Sequence, residues 1–285
     1  MTSVHICIVC QDKTARFEPF WPGLQRCSNC GHCTARICVS DLNAKAVYGT
    51  GYFHGDEYAD YLRDRPTFEK QFRSRLLQVK RYRTGGDLVE IGSAYGFFLA
   101  IAQESFRVRG FDTAEEPVAY ARECLGVDAR CQDALDVSLE PESADVVVMW
   151  DTIEHLPRPD LVMDKLVQVL RPDGYLFLTT GDIGSLLARF RRERWRLIHP
   201  PTHLHYFSRE TIATLLEGRG LQPVEMRYVG TRRSLRQIAH SLLALGKERP
   251  SRLYRLLSAS RFADLSFVLN THDILLVVGQ KAQSI

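Results

Sequence analysis

Short apolar stretches alternate with longer segments of helical periodicity from about residue 85 onward. The pattern predicts strands over 87–91, 107–112, 127–131, 145–151 and 175–180. It predicts helices over 97–105, 116–125 and 161–170 between them. Strands that alternate with helices in this way are typical of an open, parallel α/β sheet. The catalytic part of the chain is therefore expected to have an α/β fold.

Acidic residues stand at or near the ends of four predicted strands. They are Glu90, Asp112, Asp133 and Asp151. A glycine-rich loop follows the first strand, and an acid twenty residues after its first glycine is typical of a site for a nucleotide-type ligand. A dinucleotide site favours G-x-G-x-x-G, whereas residues 90–96 read E-x-G-x-A-x-G. A leading acid suits a cation, and S-adenosylmethionine carries a sulfonium and an ammonium.

The chain resembles the class I S-adenosylmethionine-dependent methyltransferases, in the group related to ubiquinone-type O-methyltransferases and natural-product sugar methyltransferases. The resemblance rests on the segments 88–96, 110–112, 133–134, 151–157, 170–174 and 200–208. It implies a Rossmann-like class I methyltransferase sheet with S-adenosylmethionine as cofactor. It also implies binding roles for Glu90, Gly92, Gly96 and Asp151 beside the methionine part, Asp112 at the ribose, and Asp133 with Ala134 at the adenine. Ala94 stands where glycine is usual, and cofactor binding is expected to survive the extra methyl group.

Eight cysteines in a chain of 285 residues indicate metal ligands or buried thiols rather than a disulfide framework. Two C-x2-C pairs, separated by sixteen residues, have the spacing of a structural zinc ribbon. The expected Zn²⁺ ligands are Cys7, Cys10, Cys27 and Cys30. Four thiolates close a tetrahedron and leave no position for catalysis, so the zinc is expected to be structural. An N-terminal zinc module is also a recurring arrangement in the group that the chain resembles.

The length favours one catalytic domain with an added module. We expect a zinc-ribbon-like module over 1–48 and a helical linker or cap over 49–84. The methyltransferase domain would follow over 85–285, with an amphipathic helical insertion at about 231–269 that suits a lid or a dimer contact.

Methyl transfer to a hydroxyl requires a base near the sulfonium. His155 is the leading candidate because it follows the fourth strand and an imidazole ordinarily has a near-neutral pKa. His203 and His205, in a segment expected to cover the site, are candidates to assist. A second hypothesis is that Asp151, Glu154 and His155, arranged D-x-x-E-H, bind a divalent ion that polarises the acceptor oxygen.

The acceptor is expected to be a small molecule, such as a sugar or natural-product intermediate. A net charge of +3 does not require a polyanionic partner. Two basic clusters, within 73–83 and 189–196, are interpreted as solvated helix faces, although the second could hold a phosphate-bearing or carrier-bound acceptor. The alternative function is that of an RNA methyltransferase that acts on guanine in ribosomal RNA, in which the zinc module binds RNA.

The sequence gives three further expectations about the surroundings of the protein. No apolar run approaches the roughly 18 residues that a membrane helix needs, so no membrane partner is expected. The start of the sequence predicts no secretory signal and therefore a cytoplasmic location. A homodimer is a candidate assembly.

Overall fold

The computed structural model describes residues 6–37, 60–243, 252–260 and 262–283. Its strands are β1 (Phe17–Pro19), β2 (Leu24–Cys27), β3 (Cys33–Ala35), β4 (Gly86–Ile91), β5 (Phe106–Asp112), β6 (Ala129–Cys131), β7 (Ala144–Trp150), β8 (Leu170–Gly181), β9 (His205–Tyr206), β10 (Leu221–Tyr228), β11 (Thr231–Ser234), β12 (Ser266–Leu269) and β13 (Ile274–Lys281). Its helices are α1 (Arg65–Lys80), α2 (Phe97–Ala102), α3 (Glu115–Leu125), α4 (Pro159–Val169), α5 (Leu186–Arg191), α6 (Arg209–Glu217), α7 (Leu235–Leu243) and α8 (Arg252–Ala259).

The large sheet has seven strands in the order β10-β13-β8-β7-β4-β5-β6. The five strands from β8 to β6 are parallel, and β13 runs antiparallel to both β8 and β10. This mixed sheet with its crossover helices confirms the predicted α/β class. In chain order, β5 pairs with β4 and β6 pairs with β5 on one side, and β7 then pairs with β4 on its other side. Such a reversal opens a crevice at the carboxyl ends of the strands, where open α/β sheets bind ligands.

The central strand β7 shows why the sheet is buried on both faces. Val147 and Met149 pack into the core on one face, while Val146, Val148 and Trp150 pack into the core on the other. Side chains alternate between the two faces of a strand, so an uninterrupted apolar run fits a strand covered by helices on both sides. This packing fixes the register of β7 and hence the position of the residues that follow it.

A second sheet joins the cysteine module to the larger domain. Strands β1, β2 and β3 form an antiparallel meander, and β9 pairs with β3 through Cys33 opposite Tyr206 and Thr34 opposite His205. The Thr34 hydroxyl also donates a hydrogen bond to the carbonyl oxygen of Leu204 at 2.9 Å. The module therefore shares a sheet with a segment that follows β8.

The insertion before the last strand is only partly helical. Its two ends, β11 and β12, form an antiparallel pair, and α7 and α8 lie between them in the chain. The prediction of a helical insertion over 231–269 is wrong at those ends, because the two strands satisfy each other's backbone groups. Part of the predicted cap, 49–59, lies outside the described residues, and α1 occupies most of the remainder.

Within the described ranges, no helix combines the length and apolar character needed to cross a membrane.

Candidate functional site

Four cysteine side chains meet at the base of the small sheet. The Sγ atoms of Cys7, Cys10, Cys27 and Cys30 all lie within 4.8 Å of one another. Sγ of Cys7 is 3.6 Å from Sγ of Cys30, and Sγ of Cys10 is 3.9 Å from Sγ of Cys27. Zinc–sulfur bonds of about 2.3 Å give a tetrahedron with edges of about 3.8 Å. The spacing of the thiols therefore fits a closed zinc site.

The contact between two of these thiols also favours a bound cation. The hydrogen bond to Cys30, followed by burial, raises the pKa of Cys7, whereas the same contact lowers the pKa of Cys30 to about 5. The metal ligand must be the thiolate, so the cluster is prepared for a metal.

A cavity of about 230 Å³ opens at the carboxyl ends of the central strands. Its lining comes from loops after β4, β5, β6 and β7, from α1 and from β11. The lining residues are Tyr61, Phe68, Gln71, Phe72, Ile91, Gly92, Ala94, Phe111, Asp112, Thr113, Gln132, Asp133, Ala134, Trp150, Asp151, Thr152, His155, Leu156, Pro157, Thr231, Arg232 and Arg233. We call Gly92, Ala94, Asp112, Asp133 and Ala134 the strand-end wall. Phe68, Gln71, Phe72, Arg232 and Arg233 form the α1–β11 wall.

The loop after β4 requires glycine at two positions. At Gly92 the backbone has φ +79°, and a Cβ atom there would lie 2.4 Å from Oγ1 of Thr152. At Gly96 φ is +71°, and a Cβ would lie 2.7 Å from that of Ala121 on α3. Ala94 has φ 43°, so a left-handed conformation is occupied here by a residue with a side chain. The loop therefore lies flat against its neighbours and leaves room for a ligand.

Asp112, the last residue of β5, holds this loop in place. Its Oδ2 accepts a hydrogen bond from the backbone N–H of Ala94 at 2.8 Å, and its Oδ1 accepts one from Ala114 at 2.9 Å. Burial raises the pKa of Asp112, although these N–H groups act in the opposite direction. Each carboxylate oxygen accepts more than one hydrogen bond, so Asp112 can also bind a ligand hydroxyl. The side chain therefore combines a structural role with a possible ribose contact.

Glu90 lies deeper, outside the cavity lining. It is 2% exposed, and its Oε2 has no hydrogen-bond partner among the described residues. Burial, and then the Asp112 carboxylate, raise the pKa of Glu90 well above its ordinary value. Such a group is stabilised in its charged form by a nearby cation. This unpartnered oxygen agrees with a positively charged ligand such as S-adenosylmethionine.

His155 lines the cavity just after β7. Its Nδ1 lies 2.9 Å from the carbonyl oxygen of Thr202. A carbonyl oxygen only accepts hydrogen bonds, so Nδ1 carries the proton and donates it. The basic lone pair of the neutral ring therefore lies on Nε2. Burial lowers the pKa of His155 to about 4. The expectation of a near-neutral pKa is therefore wrong, because the ring is removed from water. The imidazole is neutral at pH 7.

The other two candidate histidines lie elsewhere. The His203 ring meets the His155 ring edge to face, with centroids 4.6 Å apart, but His203 does not line the cavity. Ligand atoms of Glu154, His155 and His203 lie within 4.8 Å of one another, so His203 rather than Asp151 completes this group. His205 is buried on β9, where its Nδ1 lies 3.2 Å from Nε2 of His32. His205 therefore belongs to the joint with the cysteine module.

Residues 61–226, more than half of the chain, match a protein family described as a methyltransferase domain. The chain belongs to this family. The bifunctional biotin biosynthesis protein BioHC of Cellvibrio japonicus (strain Ueda107) is 29% identical over 56% of this chain and 33% of its own length. The ubiquinone biosynthesis O-methyltransferase of Stutzerimonas stutzeri (strain A1501) is 32% identical over 34% of this chain and 44% of its own. The chain thus spans less than half the length of these curated relatives.

Solved structures show the same fold. The methyltransferase complex with the Trm112 methyltransferase activator of Haloferax volcanii matches with TM-score 0.55 and 16% identity, over 78% of this chain and 94% of that one. An S-adenosylmethionine-dependent methyltransferase from Archaeoglobus fulgidus matches with TM-score 0.50 and 19% identity, over 75% and 98%. The chain therefore contains a methyltransferase domain with the fold of the S-adenosylmethionine-dependent enzymes, and the resemblance to that family identified in its sequence is confirmed.

The methyltransferase cavity gathers some predicted residues and omits others. It is lined by Gly92, Ala94, Asp112, Asp133, Ala134, Asp151 and His155, but not by Glu90, Gly96 or His203. The sequence reasoning missed most of the α1–β11 wall. Phe68 and Phe72, four residues apart on one helix face, were a usable signal for α1. The short polar strand β11 carries no comparable signal.

Proposed function

We propose that this methyltransferase transfers a methyl group to a hydroxyl of a small-molecule acceptor, with His155 as the base. The observation that supports it best is the position of His155 in the wall of the same cavity as the acidic strand-end residues. The cavity is also bounded by aromatic side chains of α1, which suit an organic acceptor better than a polymer. A second copy of the chain, as a homodimer, stays a prediction.

The strand-end wall would hold the cofactor. Asp112 would bind the ribose hydroxyls, Asp133 with Ala134 would lie at the adenine, and Glu90, buried below this wall, would stabilise the cationic methionine part through its charge. When bound, S-adenosylmethionine supplies a methyl group already activated by its sulfonium. The protein's own contribution is then alignment and removal of the hydroxyl proton.

His155 would accept that proton at Nε2. The hydrogen bond from Nδ1 to Thr202 fixes the ring and its tautomer. Because the pKa of His155 is lowered, the ring stays available as a base throughout the neutral range, but it is a weaker base than an ordinary histidine. The geometry of the acceptor therefore has to contribute much of the rate.

A second arrangement is favoured by the cluster of Glu154, His155 and His203. Burial, and then the Asp151 carboxylate, raise the pKa of Glu154 to about 8, and its Oε2 has no hydrogen-bond partner among the described residues. A buried carboxylate beside two neutral imidazoles is a reasonable donor set for a divalent ion. In that case these residues would hold an ion that polarises the acceptor oxygen.

The four clustered cysteines would hold one structural Zn²⁺. Their Sγ spacing supports this assignment, and the ion would supply folding energy to a module whose described part has few buried apolar residues of its own. Elemental analysis of protein purified without added metal is expected to give one zinc per chain.

Calorimetry and turnover test the proposed function directly. The full chain is expected to bind S-adenosylmethionine and not NAD, and to release S-adenosylhomocysteine with a hydroxyl-bearing acceptor from a panel of phenols and sugars. Transfer only to amines or carbon would overturn the choice of atom. Transfer to ribosomal RNA, with binding that weakens steeply in salt, would favour the RNA alternative.

A further inference from the structure

Several buried hydrogen-bond donors lie without a partner beside the α1–β11 wall. Nη1 of Arg75, Nε1 of Trp150 and Nε of Arg232 each lack a hydrogen-bond partner among the described residues. Burying a charged or polar donor without an acceptor is costly. Three such donors in one region indicate that their acceptor belongs to a ligand.

Arg75 is the most unusual of the three. It is 5% exposed on α1, and its guanidinium lies over the Trp150 ring, 5.2 Å from the centroid. No hydrogen bond or ion pair in the described part of the chain involves this guanidinium. Burial lowers the pKa of Arg75, and the Asp151 carboxylate, too distant for an ion pair, opposes that shift only in part. The interpretation of Arg75 as part of a solvated helix face is therefore wrong.

The three donors are connected through α1. Arg75 lies one helical turn after Gln71, which lines the cavity and whose Oε1 accepts a hydrogen bond from the backbone N–H of Arg232 at 2.9 Å. Nη1 of Arg232 donates to Ser266 on β12, which anchors the guanidinium and leaves its buried Nε unpartnered. Arg233, the next residue of β11, also lines the cavity and takes part in no described ion pair.

We propose that an oxyanion carried by the methyl acceptor, a phosphate or a carboxylate, binds Arg232 and Arg233 of the α1–β11 wall together with Arg75, which is buried on α1 outside the cavity lining. This rests on the proposed function, because it names the chemical class of the acceptor for the same cavity. A planar guanidinium pairs well with the oxygens of either group. Aromatic side chains at Phe68, Phe72 and Trp150 would pack against the rest of the acceptor.

The test is calorimetric titration of the full chain, saturated with S-adenosylhomocysteine, with inorganic phosphate in one arm and malonate in the other. Wild type is expected to bind at least one of the two, and the tighter arm identifies phosphate or carboxylate. Arg233→Gln and Arg232→Gln are each expected to weaken that binding about tenfold or more. Arg75→Lys keeps the charge but loses the planar fork, so the same direction is expected.

Arg122→Gln is the matched control, because Arg122 is an exposed arginine of α3 that does not line the cavity and lies outside both basic clusters. It is expected to leave oxyanion binding unchanged. Equal weakening by Arg122→Gln and Arg233→Gln would show a general charge effect and overturn the proposal, as would absence of binding in both arms.

The affinity for S-adenosylhomocysteine distinguishes failure of the proposed acceptor class from failure of the proposed function. If it is normal and no oxyanion binds, only the acceptor class fails. If S-adenosylhomocysteine itself does not bind, the proposed function fails too.

Discussion

The two sides of the cavity leave opposite kinds of polar atom without a protein partner. Among the described residues, Glu90 has an unpartnered carboxyl oxygen below the strand-end wall, where the Ser93 hydroxyl is also unpartnered, whereas the unpartnered atoms beside the α1–β11 wall are donors of Arg75, Trp150 and Arg232. The carboxyl oxygen suits a cationic ligand, and the donors suit an anionic ligand, so the two sides of the cavity differ in the charge that they favour. Under the proposed function, cofactor and acceptor would be recognised by opposite electrostatics, with His155 on the same lining.

His155→Ala is expected to have the largest effect, because it removes the proposed general base and leaves both walls of the cavity in place. We expect kcat to fall about 10²- to 10⁴-fold, the usual loss for a general base, with cofactor Kd within about threefold. Steady-state release of S-adenosylhomocysteine and calorimetry measure the two quantities. The exposed His272→Ala is the control and is expected to behave as wild type.

Chelation separates the base from the metal hypothesis at the same residue. A chelator that spares the thiolate zinc is expected to leave the base mechanism intact, whereas a divalent ion held by Glu154, His155 and His203 would be lost and magnesium would restore turnover. Turnover of His155→Ala close to wild type together with insensitivity to chelator would contradict both mechanisms.

Asp112→Ala probes the strand-end wall alone. We expect cofactor binding to weaken by about 1.5 to 3 kcal/mol through lost charge-assisted hydrogen bonds, about 10- to 150-fold in Kd. The Asp112 carboxylate also holds the backbone of Ala94 and Ala114, so the melting temperature should be measured alongside. Asp112→Asn keeps an acceptor oxygen and should lie between the two. Equal cofactor affinity of wild type and Asp112→Ala would contradict the assignment of Asp112 to the ribose.

The contrast between the walls also explains what the sequence could predict. The strand-end wall comes from short segments directly after predicted strands, and their acids and glycines carry local signals. Gln71 and Arg232 lie far apart in the chain and meet only because α1 packs on β11. Arg75 also stands among other arginines and lysines, so only its packing on Trp150 distinguishes it from a surface residue.

The fold followed from hydrophobic pattern, but other properties depended on tertiary contacts. The five parallel strands, β4 to β8, were predictable because short apolar stretches alternate with helical segments, whereas β10 was not predicted. The pairing of β3 with β9 was not, because β9 has two residues and no alternation to read. The pKa of His155 was not predictable either, because burial of its ring is a property of the assembled site.

Cys27→Ser tests whether the cysteine module supports the acceptor side rather than the cofactor side. The module's β3 pairs with β9, the backbone N–H of Leu204 just before β9 donates to the carbonyl oxygen of Glu154, and Thr202 accepts from His155. Loss of zinc should loosen this connection and lower kcat/KM about tenfold, with cofactor Kd within about threefold. The control is Cys124→Ser, an exposed thiol away from the cluster. Full zinc content and an unchanged melting temperature in Cys27→Ser would refute the ligand assignment.

Ala94→Gly is the smallest expected effect. With φ 43°, alanine at this position is strained by about 1 to 2 kcal/mol relative to glycine. Glycine offsets part of this gain, because its unfolded chain has more conformational entropy to lose on folding. We therefore expect the free energy of unfolding to rise by up to about 1 kcal/mol, with cofactor Kd within about twofold. Ala100→Gly, inside α2, is the matched control and should lower it by about 1 kcal/mol. If both variants destabilise equally, the Ala94 methyl, which packs against the cluster of Tyr61, Tyr95 and Phe97, contributes more than its strain costs.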